Sequence, residues 1–151
     1  MKTLVMQARI SLTAVLLLAL LTCGIYPMLV WVAGQTLFPS QAAGSLVRAG
    51  ETVVGSMLIA QGFSGPAYFH PRPSAAGYDA ASSGGSNLGP LSRGLTEQVR
   101  RRIAAYRAEN GLAADRAVPA DAVTASASGL DPHISVPNAL IQARRVARSR
   151  G

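Results

Sequence analysis

From Ile10 to Val32 no charged side chain interrupts a run of Ile, Leu, Val, Ala and a few small or aromatic residues. A helix rises about 1.5 Å per residue, so this stretch covers roughly 30 Å, the hydrocarbon thickness of a bilayer. It is expected to form one transmembrane helix, assigned to residues 10–33, and every later motif is placed by it. A secretory signal would have a shorter apolar core ending in a small-x-small cleavage site. Leu20-Leu21-Thr22-Cys23 has a faint lipoprotein-signal look, but Thr precedes the cysteine and apolar residues continue past it. Gly24 and Pro27 would break a soluble helix, yet both are tolerated in a membrane. They read either as a kink or as a notch for a neighbouring helix.

Charge gives the expected orientation. Lys2 and Arg9 precede the run, and the next charge is Arg48, with Glu51 close behind. The positive-inside rule then puts residues 1–9 in the cytoplasm and residues 34–151 outside, as a domain on the far face of the plasma (inner) membrane. All seven acidic residues and twelve of the fourteen basic ones follow the run, so the outer part of this 151-residue chain carries +5. Its cations are all arginine, suited to bidentate contact with carboxylates and phosphates. Acidic protein surfaces and lipid head groups are the natural partners; nucleic acid is not, given the membrane anchor and few aromatics for stacking. A lone Cys23 inside the apolar run excludes an internal disulfide and reads as a packing residue.

Past the run, Gly34 to Gln41 has the character of an exit linker. Gly44–Val47 and Thr52–Ile59 are β-prone runs around an Ala49-Gly50-Glu51 turn, the first hairpin of a small sheet. Pro71-Arg72-Pro73 cannot be helix interior, so Phe63–Tyr78 is expected to be an ordered loop. Ser82 to Pro90 is a turn segment, Ser82-Ser83-Gly84-Gly85-Ser86-Asn87-Leu88-Gly89-Pro90, whose backbone either connects or forms an anion-holding nest. Between Leu91 and Asn110, Leu95, Val99, Ile103 and Tyr106 make the apolar stripe of an amphipathic helix closed by Asn110-Gly111. Arg100, Arg101, Arg102 and Arg107 lie mostly off it, as a solvated face or a contact with acidic groups. Ser135 caps a last helix over Val136–Arg148 with Pro137 in its first turn. Val136, Leu140, Ala143 and Ala147 are expected to face the core there, leaving Gln142, Arg144, Arg145 and Arg148 for solvent or a partner. The fold class is therefore α+β: one N-terminal transmembrane helix, then a small extracytoplasmic domain with a short sheet and two or more amphipathic helices.

Chemistry-bearing residues are few. Ser126, Ser128, Asp131 and His133 include the types a Ser/His hydrolase needs, but no G-x-S-x-G elbow accompanies them. His70, His133 and Asp131 could in principle share a metal, although their separation favours structural roles. No P-loop, P-type phosphorylation motif or potassium-selectivity filter is present. The expectation is no catalytic residue and no metal site, with a membrane-anchored binding module or hydrolase as the alternatives.

Several long motifs stand in one order: Phe38-Pro39 with Gln41-Ala42 and Gly44-Ser45-Leu46; Gly55-Ser56 with Leu58-Ile59 and Gln61; Tyr68-Phe69 with Arg72-Pro73-Ser74-Ala75 and Tyr78; and Ser83 to Pro90. Then come Val118-Pro119 with Asp121, Val123 to Ser126, Ser128-Gly129-Leu130-Asp131-Pro132-His133-Ile134-Ser135, and Gln142 with Arg145-Val146-Ala147 and Arg150. In this order they resemble the KdpC family, a component of the Kdp potassium-transporting ATPase. The resemblance implies an accessory subunit of a high-affinity, ATP-driven potassium importer. Its partners would be a channel-like potassium-binding subunit, a P-type ATP-hydrolysing subunit and membrane lipid. It also implies a catalytic-chaperone role that raises the pump subunit's ATP affinity, with Gln142 as the nucleotide contact. No cofactor is bound firmly; ATP enters only in association with the pump subunit. Arg72, Ser83, Gly84, Gly85, Ser86, Asn87, Gly89, Ser128, Gly129, Asp131 and His133 become partner-contact or structural-motif residues, and Gly24 and Pro27 membrane-packing ones. Members of that family usually continue past Arg150 with another helix and a strand, so the chain is expected to be shortened at its C-terminus. If residues 34–151 are outside, Gln142 cannot meet cytoplasmic ATP, and any effect on ATP passes through the assembly.

Overall fold

A computed structural model describes residues 2–151. Helix α1 (Lys2–Ala19), a π-helical turn (Leu20–Ile25) and α2 (Tyr26–Leu37) join into one apolar helix, Thr3–Leu37, of 35 residues. At about 52 Å it is long and apolar enough to cross a bilayer. The helix overruns the apolar core at both ends, because residues 3–9 are good helix formers and Gly34–Leu37, expected as linker, stay helical. The π turn has a local cause. Pro27 cannot donate to the carbonyl of Cys23 and its ring crowds it. One wider turn absorbs this, with the Tyr26 N–H bonding Leu21 O instead. The helix stops where Pro39 forces Phe38 out of the helical region, to φ −135° and ψ 56°. A short helix α3 (Pro39–Ala42) follows.

Strands β1 (Leu46–Ala49) and β2 (Thr52–Ser56) form a hairpin in the expected region, but β1 lies two residues later than Gly44–Val47, with Ala49 in the strand rather than the turn, and β2 stops at Ser56 short of Ile59; the chain turns through Gly50 at φ +62° and Glu51. Among the described residues the sheet has these two strands and no more. The chain is thus α+β, with a small sheet and further helices. A first compact unit ends at Leu46 and a second spans Val47–Gly151.

Within the second unit, residues 57–91 run without regular helix or strand. Helix α4 (Arg93–Asn110) starts at Ser92, whose hydroxyl accepts the Leu95 N–H, and ends at Gly111, left-handed at φ 62°. Its stripe lies inward as expected: Tyr106 is buried and Leu95, Val99 and Ile103 are half-buried. After a 3₁₀ turn (Ala120–Ala122), helix α5 (Val136–Arg150) begins at Ser135, whose hydroxyl accepts the Asn138 N–H. The cap and the position of Pro137 are as expected, but the buried face is not. Val136 is 72% exposed and Leu140 66%, Ala147 is exposed and Ala143 only half-buried. Asn138, Gln142, Arg145 and Val146 are buried instead. The physical reason is backbone satisfaction: the loop around Pro66–His70 has no sheet to bond, and α5 supplies the partners from its polar side chains.

Candidate functional site

The best-buried part of the second unit is polar. Asn138 and Gln142 are each 1% exposed, while the buried apolar residues are Ala60, Tyr106, Val123 and Val146. Asn138, Gln142 and Arg145 recur every three or four residues along one side of α5, so they line up against the same neighbours.

Gln142 is the centre. Its Oε1 accepts from the His70 N–H at 2.7 Å and from Arg145 Nη2 at 2.9 Å. Its Nε2 donates to His70 O at 3.0 Å and to Asn138 Oδ1 at 2.8 Å. A primary amide has two donors and two acceptor sites, so all of its capacity is used. Towards His70 it behaves as a strand neighbour would, engaging both backbone groups of one residue.

Arg145 closes the C-terminal side. Its Nη1 donates to Pro66 O (2.7 Å) and Tyr68 O (3.1 Å), and its Nε to Asn110 Oδ1 (3.1 Å), with Glu109 Oε1 3.6 Å away. His70 presents Nδ1 to Glu109 Oε1 at 2.8 Å and Nε2 to Gly65 O at 3.1 Å. On the N-terminal side the Tyr106 hydroxyl donates to Asn138 Oδ1 at 2.8 Å, and Asn138 Nδ2 donates to Asp121 Oδ2 at 2.8 Å. Asp121 also accepts the N–H and the hydroxyl of Ser135, both at 2.8 Å, which fixes a carboxylate at the start of α5. Burial pushes the Tyr106 phenol up to about 12, helped by the charge of Asp121 and opposed by that of Arg145. Burial also acts to raise the Asp121 carboxyl, but the donors from Ser135 and Asn138 outweigh it and hold the carboxyl below its usual value.

A cavity of about 170 Å³ opens beside this network, lined in part by His70, Arg102, Tyr106, Glu109 and Gln142. Sites for drug-sized ligands run from roughly 300 Å³ upward, so it suits a few waters rather than a nucleotide.

The loop motifs form a second cluster. Arg72 Nη1 donates to Asp131 Oδ2 at 3.1 Å, and Asp131 Oδ1 accepts the N–H and faces the Nδ1 of His133, both at 3.0 Å. The His133 N–H foremost, then its ring and the Arg72 guanidinium, keep the Asp131 carboxyl low against a burial effect of opposite sign. The His133 side chain is 90% exposed. The glycine-rich loop lies on the same segment: Gly84 N–H and Ser83 Oγ both donate to Ser128 O, at 2.9 and 3.1 Å. A Cβ on Gly129, at φ +69°, would sit 2.7 Å from Gly84 O, and one on Gly85 3.0 Å from Ala127 O. These glycines let two backbones approach. Ser86, Asn87 and Gly89 are exposed, Asn87 at φ 52°, and Gly89 O accepts the Ser92 N–H in the turn into α4.

The sequence-predicted residues therefore fall into two clusters. Arg72, Ser83, Gly84, Gly85, Ser128, Gly129, Asp131 and His133 come together, while Gln142 belongs to the α5 network. The Ser128 hydroxyl accepts the Leu130 N–H, and among the described residues no hydrogen bond joins His133 to Ser126 or Ser128. No group of three His, Cys, Asp or Glu side chains gathers as a metal site among them either. Gly24 lies in the π turn and Pro27 in the first turn of α2; a Cβ on Gly24 would meet only Leu20 Cδ1, at 3.5 Å. Sequence reading missed Tyr106, Glu109, Asp121 and Asn138 as members of the site and left Arg145 for solvent or a partner. The available signal was the polar stripe 138, 142, 145, which repeats at helical spacing as clearly as the apolar one beside it.

Residues 8–151 match the family model described as K+-transporting ATPase, c chain. The chain is 52% identical over 143 residues to the "Potassium-transporting ATPase KdpC subunit" of Cereibacter sphaeroides, covering 95% of this chain and 75% of the relative. To the KdpC subunit of Rhodospirillum rubrum it is 57% identical over 136 residues, 89% and 70% of the two chains. To that of Nitratidesulfovibrio vulgaris it is 55% identical over 154 aligned positions, 100% and 76%. With its N-terminal apolar helix and its motifs in this order, the chain belongs to the KdpC family of K+-transporting ATPases.

Proposed function

We propose that this chain is a membrane-anchored accessory subunit that assembles with a channel-like potassium-binding subunit and a P-type ATP-hydrolysing subunit and stabilises their complex. The observation that carries this reading is the state of Gln142: buried, with every donor and acceptor engaged inside the chain. Gln142 and Arg145 tie α5 to the loop around Pro66–His70, and Arg72 is tied to Asp131, so these side chains hold the second unit together, which supports a docking role. A direct nucleotide contact at Gln142 would have to break bonds to His70, Asn138 or Arg145. We therefore read any chaperone effect on ATP affinity as transmitted through the assembly. The apolar helix is the membrane anchor, with its N-terminus in the cytoplasm and the second unit outside. A Cβ on Gly24 would make only an ordinary contact with Leu20 Cδ1, so the chain's own packing does not require a glycine there, which supports packing against a neighbouring helix.

The test is purification from native membranes. The chain should bring down two larger membrane proteins, and potassium-stimulated ATP hydrolysis should appear only in the assembly. An ATP analogue that cross-links to the isolated chain at Gln142 would sink the indirect reading. A reporter fused after Gly151 that works only in the cytoplasm would reverse the topology.

A further inference from the structure

Asn87, Asn110 and Asn138 are the asparagines of this chain, and Asn110 is the one that glycine follows. Asparagine is thermolabile because the backbone nitrogen of the next residue can attack its side-chain Cγ. Glycine has no Cβ to obstruct that approach and the widest choice of backbone conformation. Asn110-Gly111 therefore carries an intrinsic reactivity that Asn87, before Leu88, and Asn138, before Ala139, do not share.

The fold holds the reacting groups apart. Asn110 is the last residue of α4, and Gly111 is left-handed with its N–H bonded to the carbonyls of Arg107 and Ala108. The attacking nitrogen is thus engaged back along the helix, away from the Asn110 side chain. The amide itself is held at both ends: Nδ2 donates to Tyr106 O at 2.9 Å and Oδ1 accepts from Arg145 Nε at 3.1 Å. Arg145, 8% exposed at its side chain, is anchored in turn on Pro66 O, Tyr68 O and Gln142 Oε1. The most reactive asparagine is clamped by the best-bonded arginine of α5.

We propose that Asn110-Gly111 is a spontaneous modification site, kept closed by Arg145 and opened when α5 leaves the end of α4. In the open chain the Gly111 nitrogen bonds to Asn110 Cγ while the Cγ–Nδ2 bond breaks. Its proton passes through water to the departing nitrogen, which leaves as ammonia, and a succinimide ring remains. Water then adds across one of the ring's C–N bonds. Cleavage at Cγ gives aspartate; cleavage at the Asn110 backbone carbonyl leaves the chain running through Cγ, as isoaspartate. Nothing is oxidised or reduced. Aspartate loses the donor to Tyr106 O and sets a second carboxylate beside Glu109 at a helix C-terminus, where negative charge is unfavourable. Isoaspartate lengthens the backbone by one carbon and displaces the Gly111 cap. Either product loosens the seat of Arg145.

The experiment incubates the full chain in detergent at mildly alkaline pH, native and in concentrated urea. Trypsin then releases residues 108–116, which are followed by mass spectrometry. Digestion in heavy-oxygen water marks conversion that occurs during handling, and enzymatic methylation counts isoaspartate. In urea, Asn110 should convert about tenfold or more faster than Asn87, and Gly111→Ala should remove most of that advantage. In the native chain the rate at Asn110 should fall about tenfold or more below its value in urea, and Arg145→Ala should bring most of it back. If Arg145→Ala does not stay folded, the gate is read in the unmodified chain, where the rate through a urea series should rise with the open fraction. Equal rates at Asn110 in the native and unfolded chain overturn the proposal. So does a native rate that neither a folded Arg145→Ala nor the urea series raises. An unfolded chain that converts Asn110 no faster than Asn87 removes the site itself.

Discussion

Helices α4 and α5 carry similar sequence patterns and use them in opposite ways. In α4 the stripe Leu95, Val99, Ile103 and Tyr106 turns inward and the arginines stay outside, apart from Arg102, which donates to Val123 O, and Arg107, which donates to Arg116 O. In α5 the stripe Val136, Leu140, Ala147 stays outside and Asn138, Gln142 and Arg145 turn inward. The difference lies in what each helix meets. α4 offers its apolar side and one phenol to its neighbours, whereas α5 meets a loop whose carbonyls and N–H groups lack partners. Burial of a peptide group without a hydrogen bond costs about 1–3 kcal/mol, comparable to what one exposed leucine forgoes. Several such groups outweigh one apolar stripe.

The largest test of that contrast is Arg145→Ala. It strips donors from Pro66 O, Tyr68 O, Asn110 Oδ1 and Gln142 Oε1 at a side chain that is 8% exposed. A loss of about 3–5 kcal/mol is expected in denaturant unfolding of the full chain, with little recovery in Arg145→Lys, which cannot reproduce the planar fork. Ile103→Ala in the half-buried α4 stripe should cost less, about 1–2 kcal/mol. Gln142→Ala falls between the two, and the double variant with Arg145→Ala should cost less than the sum because the two side chains share a bond. Strict additivity would mean that they do not act as one network.

How much of this was legible in the sequence follows from the same contrast. The hairpin turn at Gly50-Glu51, the Gly111 cap and the Ser135 cap depend on local rules and stand where those rules put them, while the apolar helix forms where its composition puts it but runs past both expected ends, to Thr3 and Leu37. The α4 face was legible because an apolar stripe is normally buried. The α5 face was not, because the decisive partners, the backbone of Pro66, Tyr68 and His70, lie more than seventy residues away in the chain. The same holds for Gly84 and Gly129, whose glycines serve each other across 45 residues rather than a ligand. Spacing along a helix shows which residues share a face; it does not show what that face meets.

Acid sharpens the contrast at the helix starts. Asp121 holds the first turn of α5, whereas α4 begins on the Ser92 hydroxyl, which does not titrate in this range. The Asp121 and Asp131 carboxyls are both held low in the folded chain. A carboxyl with a depressed folded-state pKa adds stability that is fully present above its unfolded value, near 3.9, and is lost as pH falls through the folded value. The contribution of these two carboxyls to stability should therefore be flat from about pH 7 to 5 and fall away below about pH 4. Amide exchange should rise at Asn138 and Ala139 before it rises at Leu95 and Thr96. In Asp121→Asn that acid step at α5 should shrink and leave the part due to Asp131. An unchanged step would assign acid sensitivity elsewhere.

The smallest expected effect is on the exposed side of α5. Leu140→Gln keeps helix propensity while removing an apolar side chain that is 66% exposed, so the isolated chain should change by no more than about 0.5 kcal/mol. Val136→Gln should behave alike. The same change at Ile103, whose side chain is partly covered, should cost several times more, because it places an amide where no partner awaits it. A loss above about 1.5 kcal/mol at Leu140 would mean that the isolated chain already covers this face, and α5 would then be an ordinary amphipathic helix like α4. A null effect at Leu140 beside a clear loss at Ile103 would show that α4 draws stability from its apolar stripe and α5 from its polar one.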